Sequence, residues 1–546
     1  MRIRAAFIAA TIAVAVLPAV PTAGAAVPES PVVRPIISWE MEPRFGLDAN
    51  GDGLVDLPNT LEYVHNRPAG SCLVGCPTPT FTVHFDGSAT TATAGGAPLI
   101  VAGYRWDVEG GDLPHRITAT RHDPTFSLDL AEGRYVVALT VVTVVPWGMT
   151  TTTSWKTIDV DDLLVVAIGD SYASGEGNPE IARTPGGEEA RWADGGDGTV
   201  TRAHEAAHRS TVSWPAQAAM LLEVADPHTS VTFVSVASSG ATVSRGLLSG
   251  QSDELPTAQI EQVRELVGER PIDTVAMSIG GNDIGFARIV AGLVAADPQL
   301  DPFCYDVKVA NVWAAANDGD WGRGSRVSFE GLLDVRCRAT RTSGAQLAGL
   351  AGLPSELDRL DAALDVLGPA EVVVVEYADP ATNGADGDAC DEIVGDATPP
   401  FTFHEIDGTE LAEGTTRVLR PLNTVLQNAS VRNGWTYVGG VMEAFGAGHG
   451  YCASWPDYGY PTDFYESSRW TRNRLLHPTG WYRNPGNLAA PALIGGSEVS
   501  WFRTAAQSSA LQGPDDRIRT TGTMHPNELG HVAMARLVLP HLLPGR

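Results

Sequence analysis

The chain has 546 residues, 43% of them hydrophobic and 19% charged, which describes a globular protein too long for one ordinary core and not a disordered one. Its formal net charge of −28 argues against nucleic acid as a partner, because a polyanion meets repulsion instead of counterion release, and it disfavours electrostatic docking on anionic lipid. Lys156 and Lys308 are the sole lysines, so arginine carries nearly all positive charge, as in proteins of GC-rich bacteria.

In chain order, Arg2 and Arg4 precede an apolar run from Ala5 to Leu17 that Pro18 and Pro21 end, and Ala23-Gly24-Ala25 follows as a small-residue cleavage site. That tripartite pattern reads as a secretory signal peptide over residues 1–25, so a secreted, bacterial protein is expected. No later stretch has the ~20 continuous apolar residues of a transmembrane helix. Asp48, Asn50, Asp52 and Asp56 place oxygen ligands at alternating positions around Gly51 and Gly53, matching the first half of a calcium loop. The twelfth position is Asn59 after Pro58, not a bidentate glutamate, so the stretch reads equally as a structural calcium site or a tight Asx-rich turn.

Residues 35–160 predict short β-strands. Phe81–Phe85 and Arg134–Val141 alternate apolar and polar with turn residues between, as in a small all-β sandwich. The segments Phe85-Asp86-Gly87-Ser88-Ala89-Thr90, Tyr104–Gly111 and Glu132–Val137 resemble the PKD/immunoglobulin-like family, whose members are commonly spacers or adhesion modules.

From Leu163 the period changes. Apolar strand-like runs at Leu163–Ile168, Thr232–Val236, Thr274–Ile279, Glu371–Tyr377 and Trp435–Val441 alternate with helix-like stretches such as Thr211–Glu223, Ala258–Leu266 and Ser355–Leu367. This predicts an α/β domain over 161–546 with a parallel sheet covered on both faces. The stretches 286–345 and 380–500 are longer than ordinary connections and are expected to build cleft walls. Cys72, Cys76, Cys304, Cys337, Cys390 and Cys452 are an even set in an exported chain, so disulfides are expected; sequential pairing is the simplest of the 15 connectivities.

Four segments carry chemistry. Ser171, in Val166–Gly177, ends an apolar strand in a glycine-rich turn, the placement that fixes a nucleophile at a cleft. Gly240 in Ser238–Thr242 leaves a backbone N–H approachable, and Asn282 in Ser278–Asp283 offers a side-chain amide. His525, in Met524-His525-Pro526-Asn527, stands before the last helix as a base. Together Gly169-Asp170-Ser171, Gly240, Gly280–Asp283 and His525 resemble the SGNH (GDSL-type) hydrolases over Leu163–Pro544. Secondary matches at His208–Ser210, Ser213–Pro215 and Gly448–Cys452 resemble the secreted bacterial lipase/esterase branch.

The resemblance implies a flavodoxin-like three-layer α/β/α domain with a five-stranded parallel sheet. It implies Ser171 as nucleophile, His525 as general base, and an oxyanion hole from the N–H groups of Ser171 and Gly240 with the Asn282 amide. The branch also carries three local disulfides, one more pair than remains here once Cys72 and Cys76 are set apart. Asp170 is expected to organise the turn, and His204, His208, His449 and His531 to be structural. Where the family has an aspartate three residues before the histidine, this chain has Gly522. Its carbonyl is the expected orienter, with Asp515 and Asp516 the more distant alternatives. The expected activity is ester hydrolysis on lipid acyl groups. Acetylated carbohydrate is the alternative substrate, and a surface-binding protein with a degenerate hydrolase domain is the reading from another class. No cofactor is required by this chemistry, and oligomeric state stays open.

Overall fold

The structure, a computed structural model, describes residues 30–44, 80–179, 190–192, 202–286, 343–382, 390, 394–395, 405–406, 411–412, 414–453, 470–472, 481–483, 500–512 and 521–542. The segment 1–25, the stretch carrying Asp48, Asn50, Asp52 and Asp56, Cys72, Cys76, Cys304, Cys337, Asp515 and Asp516 lie outside these residues.

The described residues form a mixed α/β fold with several sheets and divide into two compact units. The first takes the described residues of Met1–Ser38, Phe85–Phe126 and Val136–Ile158; the second takes those of Trp39–His84, Ser127–Tyr135 and Asp159–Arg546. In the first unit Ile100–Gly110 pairs antiparallel with Ile117–Arg121, and Val32–Arg34 with Thr91–Ala94. Phe85, Trp106 and Phe126 meet ring to ring there, with centroids 5.8 to 6.5 Å apart.

The second unit holds the main core. Strand β1 (Gly148–Gly169), which this unit holds from Asp159 on, changes character along its length: its early part is exposed to half-buried, and every residue from Asp162 to Gly169 is buried. The switch matches its sequence, where Thr-rich alternation gives way to Leu163-Leu164-Val165-Val166-Ala167-Ile168. β2 (Thr229–Ser235), β3 (Thr274–Ser278), β4 (Glu371–Val375) and β5 (Thr436–Val438) follow. Parallel pairings join β1 to β2 and β3, β3 to β4, and β4 to β5, giving the order β2-β1-β3-β4-β5. These pairings lie within a mixed sheet of eight strands, not a separate parallel one, since β1 begins well before its apolar run.

Around them stand α1 (Ser171–Ser174), α2 (Trp214–Ala225), α3 (Gln259–Val267), α4 (Ser343–Leu367), α5 (Arg420–Asn433), α6 (Ala505–Gln512) and α7 (Glu528–Val538). A proline inside a helix removes a hydrogen bond and crowds the preceding turn, so the sequence places the start of α4 after Pro354; the helix instead runs through it from Ser343. Strand order reverses beside β1, where β2 lies on one side and β3 on the other. A crevice at the carboxyl end of such strands is where α/β sheets place ligands.

Candidate active site

β1 ends at Gly169, whose φ of +128° is open to glycine and strained for other residues. A Cβ there would stand 2.2 Å from the Ser278 carbonyl oxygen, so glycine lets the ends of β1 and β3 touch. The Asp170 N–H donates to that carbonyl at 2.9 Å. The Gln259 side chain, at the first position of α3, clamps Gly169 from both sides, accepting its N–H at 2.8 Å and donating to its carbonyl at 2.9 Å.

Asp170 is the N-cap of α1: its Oδ1 accepts the Tyr172 N–H at 3.0 Å. Its Oδ2 accepts the Tyr377 hydroxyl, which itself accepts the Gly281 N–H at 3.0 Å. Burial pushes the Asp170 carboxyl up to about 7, against the lowering effect of the Tyr377 and Tyr172 hydrogen bonds. As expected for a turn organiser, Asp170 is spent on structure. Ser171 follows it, buried but for 7% of its surface.

The second half of the site is the segment before α7. Met524 takes a φ of +58°, uncommon for a side-chain-bearing residue, and is held there by three bonds. Its N–H donates to the Arg503 carbonyl at 3.0 Å, the Arg503 N–H donates to the His525 carbonyl at 2.9 Å, and the Tyr172 hydroxyl donates to the Met524 carbonyl at 2.9 Å. Asn527 caps α7 through the Gly530 N–H at 3.1 Å. His525 is thereby aimed at the nucleophile, with Nε2 2.7 Å from Ser171 Oγ.

The other ring nitrogen has a partner beyond the sequence reading. Nδ1 lies 3.1 Å from the carbonyl of Thr523. The Gly522 carbonyl, named from the sequence as orienter, accepts the His525 main-chain N–H at 3.0 Å and also acts to raise the imidazole. The left-handed Met524 is the residue that intervenes between Thr523 and the imidazole. Burial lowers the His525 imidazole below the ordinary histidine range, while Glu176 and the Thr523 and Gly522 carbonyls act in the opposite direction. Tyr172 and Phe286 pack on its ring, with centroids 5.2 and 6.2 Å away.

Gly240 lies exposed in the turn after β2, with φ +80°. The Ser238 N–H, in the same turn, donates to the Gly169 carbonyl at 3.1 Å. Asn282 follows β3, and its amide nitrogen donates to the Ala241 carbonyl at 3.1 Å, joining it to the residue after Gly240. Asp283 accepts the Val243 N–H through both oxygens at 3.1 and 3.2 Å, which fastens the two loops together.

Glu176, Gln259, Tyr377 and Thr523 were not singled out from the sequence. Tyr377 carries a weak signal, since it stands two residues past the apolar run of β4, beyond Glu376. Glu176 sits fully buried within the nucleophile's own loop, with His208 Nδ1 2.6 Å from its Oε2. His208 in turn stacks on Trp192 at 4.3 Å. Of the other histidines, His531 accepts the Trp214 N–H at 3.0 Å and His449 stacks on Trp501 at 3.7 Å; the His204 side chain lies outside the described residues. Cys390 and Cys452 form a disulfide. A small apolar hollow of about 30 Å³, roughly the volume of one water, is lined by Tyr172, Phe286, Ala378, Leu411, Val418 and Met524. Among the described residues no group of three or more His, Cys, Asp or Glu could hold a metal ion, and no helix is long and apolar enough to cross a membrane.

No family model and no curated protein sequence matches the chain. Among solved structures, a carbohydrate acetylesterase from Sinorhizobium meliloti, Est24, is similar at 12% identity over 50% of this chain and 82% of its own, with a TM-score of 0.21. At that score the likeness carries no weight for fold or chemistry.

Proposed function

We propose that the chain is an exported serine hydrolase of the SGNH type, with a flavodoxin-like hydrolase domain over 161–546, that cleaves carboxylic esters through an acyl-enzyme. The observation that carries this reading is the 2.7 Å contact between Ser171 Oγ and His525 Nε2, brought together from 354 positions apart. A hydroxyl becomes an effective nucleophile when a neighbouring base takes its proton, and an imidazole lowered by burial is neutral and ready to do so at pH 7. His525 accepts the Ser171 proton as Oγ attacks the ester carbonyl, then delivers it to the departing alcohol. Water then attacks the acyl carbonyl as His525 takes its proton, and return of that proton to Ser171 Oγ breaks the acyl–serine bond, releasing the acid and restoring the enzyme.

The developing oxyanion is received by the N–H groups of Ser171 and Gly240 and by the Asn282 amide. A donor of this kind contributes most when it is already aimed, and the bonds from Asn282 to Ala241 and from Ser238 to Gly169 support the two loops concerned. The Thr523 carbonyl fixes the imidazole tautomer. Lipid acyl esters are preferred here to acetylated carbohydrate on the resemblance of His208–Ser210, Ser213–Pro215 and Gly448–Cys452 to the secreted lipase/esterase branch. The segment 35–160 acts in this account as a PKD-like spacer or adhesion module. Hydrolysis of a p-nitrophenyl ester series from acetate to longer chains, beside acetate release from acetylated xylan, tests the substrate class. Fastest turnover on acetylated xylan would replace the lipid reading, and no turnover of any ester that Ser171→Ala abolishes would sink the hydrolase reading.

A further inference from the structure

The aspartate missing three residues before His525 is missing for a steric reason. A Cβ on Gly522 would lie 2.6 Å from the Gly177 Cα, 2.6 Å from Gln512 Oε1 and 3.0 Å from Ser508 Oγ. The first of these is backbone and cannot swing aside. The nucleophile's loop and the histidine's loop are therefore pressed together at the point where an aspartate side chain would need to leave the chain.

That contact brings another carboxylate to the histidine loop from the opposite side. Glu176 precedes Gly177, and its Oε1 accepts the Thr521 hydroxyl at 2.8 Å and the Gln512 amide. Gln512 Oε1 in turn accepts the Gly522 N–H at 3.2 Å and the Ser508 hydroxyl at 2.7 Å. Glu176 Oε2 meets His208 Nδ1 at 2.6 Å, and the carboxylate is wholly shielded from solvent. Burial alone would push this carboxyl up, yet His208, facing it, and His525 hold it below the ordinary carboxylate range, so it stays charged. We propose that Glu176 is a positioning residue that does the missing aspartate's work from the nucleophile's own loop: it anchors the 521–525 segment and faces the imidazolium of His525 with a fixed negative charge.

The proposal rests on the Ser171–His525 hydrolase reading. Other groups share the surroundings. His208 and Ser239 bond to Glu176; His531 lies near His525; Arg503, paired with Glu528 at 3.0 Å, binds the Gly177 carbonyl and Asn178; Asp170 and Tyr172 face the site from α1. Of the carboxylates among these, Glu176 raises the His525 imidazole, partly offsetting its burial. Removing the charge must therefore lower that imidazole further.

The test is the pH dependence of kcat/KM on a p-nitrophenyl ester, with the full chain, for wild type, Glu176→Gln and Thr521→Val. Protonated His525 cannot accept the serine proton, so activity falls on the acid side through the imidazole's titration. Glu176→Gln is expected to move that acid limb down by about one pH unit and to lower the plateau about tenfold or more. Thr521→Val removes one anchor and keeps the charge, so its limb stays where wild type has it. An acid limb unmoved in folded Glu176→Gln, or one that moves equally in Thr521→Val, overturns the proposal. If Glu176→Gln does not fold, Glu176→Asp decides. A wild-type limb with a plateau several-fold lower supports the proposal, and an unchanged plateau overturns it. Wild type that hydrolyses no ester removes the hydrolase reading and this inference with it, whereas an active wild type with an unmoved limb removes the inference alone.

Discussion

The Tyr172 hydroxyl donates to the Met524 carbonyl at 2.9 Å, linking the first turn after the nucleophile to the residue before the base across 352 positions. Both groups are buried, and Met524 is held in a left-handed conformation that few residues adopt unaided. The bond therefore acts on the histidine's backbone rather than on the reaction.

Tyr172→Phe keeps the ring against His525 and leaves the Met524 carbonyl without its donor. The loss of a buried hydrogen bond predicts a destabilisation of about 1–2 kcal/mol in urea unfolding. It also predicts a fall in kcat larger than any change in KM, because the bond positions the base. Equal stability and equal kcat in the variant would contradict the link.

Gly522→Ala sets a methyl group 2.6 Å from the Gly177 Cα. The loops must part to admit it, with a cost of about 1–3 kcal/mol for overpacking. A lower thermal midpoint together with slower ester turnover is expected. A variant as stable and active as wild type would show that the two loops are not in the contact described.

His531 is buried, and burial pushes its imidazole down to about 3. Its folded value thus lies below the ordinary one near 6.5, so between pH ~6.5 and ~3 the unfolded chain takes up a proton that the folded chain refuses. The stability tied to His531 is complete above that window and is lost as pH falls through it. Asp170 and Asp283, both pushed up to about 7 by burial, contribute with opposite sign, so variant and wild type must be compared at each pH. His531→Asn keeps an acceptor for the Trp214 N–H and removes the titration. Its urea midpoint is expected to fall less than that of wild type between pH 7 and pH 4.5, a difference on the order of 2 kcal/mol.

Val418 lines the apolar hollow and is itself buried. Val418→Ala enlarges the hollow by two methyl groups. It should lower stability by about 1–2 kcal/mol in urea unfolding. A variant as stable as wild type would show that Val418 is not packed as described.

The residues of the reacting pair were legible because their signals are local. Ser171 ends a run of apolar residues in a glycine turn, and His525 stands just before a capped helix. The runs of β1, β3 and β4 were legible for the same reason, since a strand buried on both faces is largely apolar, whereas β2 carries buried Thr and Ser and β5 is only partly buried. What was not legible depends on contacts between distant segments. The start of β1 blurs because its alternating half flows into its apolar half without a turn. The clamp of Gln259 on Gly169 and the bond from Tyr377 to Asp170 span 90 and 207 positions and have no local pattern. The Gly522 carbonyl named from the sequence acts on the His525 imidazole together with the Thr523 carbonyl, 3.1 Å from Nδ1, a partner that no local pattern announces.

The central claim is that Ser171 is a nucleophile activated by His525. A fluorophosphonate forms a stable bond only with a hydroxyl that a neighbouring base has activated, so the folded protein is treated with one and its mass and modified residue are determined. A single adduct on Ser171 is predicted, absent in Ser171→Ala and formed at least about a hundredfold more slowly in His525→Gln. No adduct on the folded wild-type protein, or an adduct that persists in Ser171→Ala, would contradict the account.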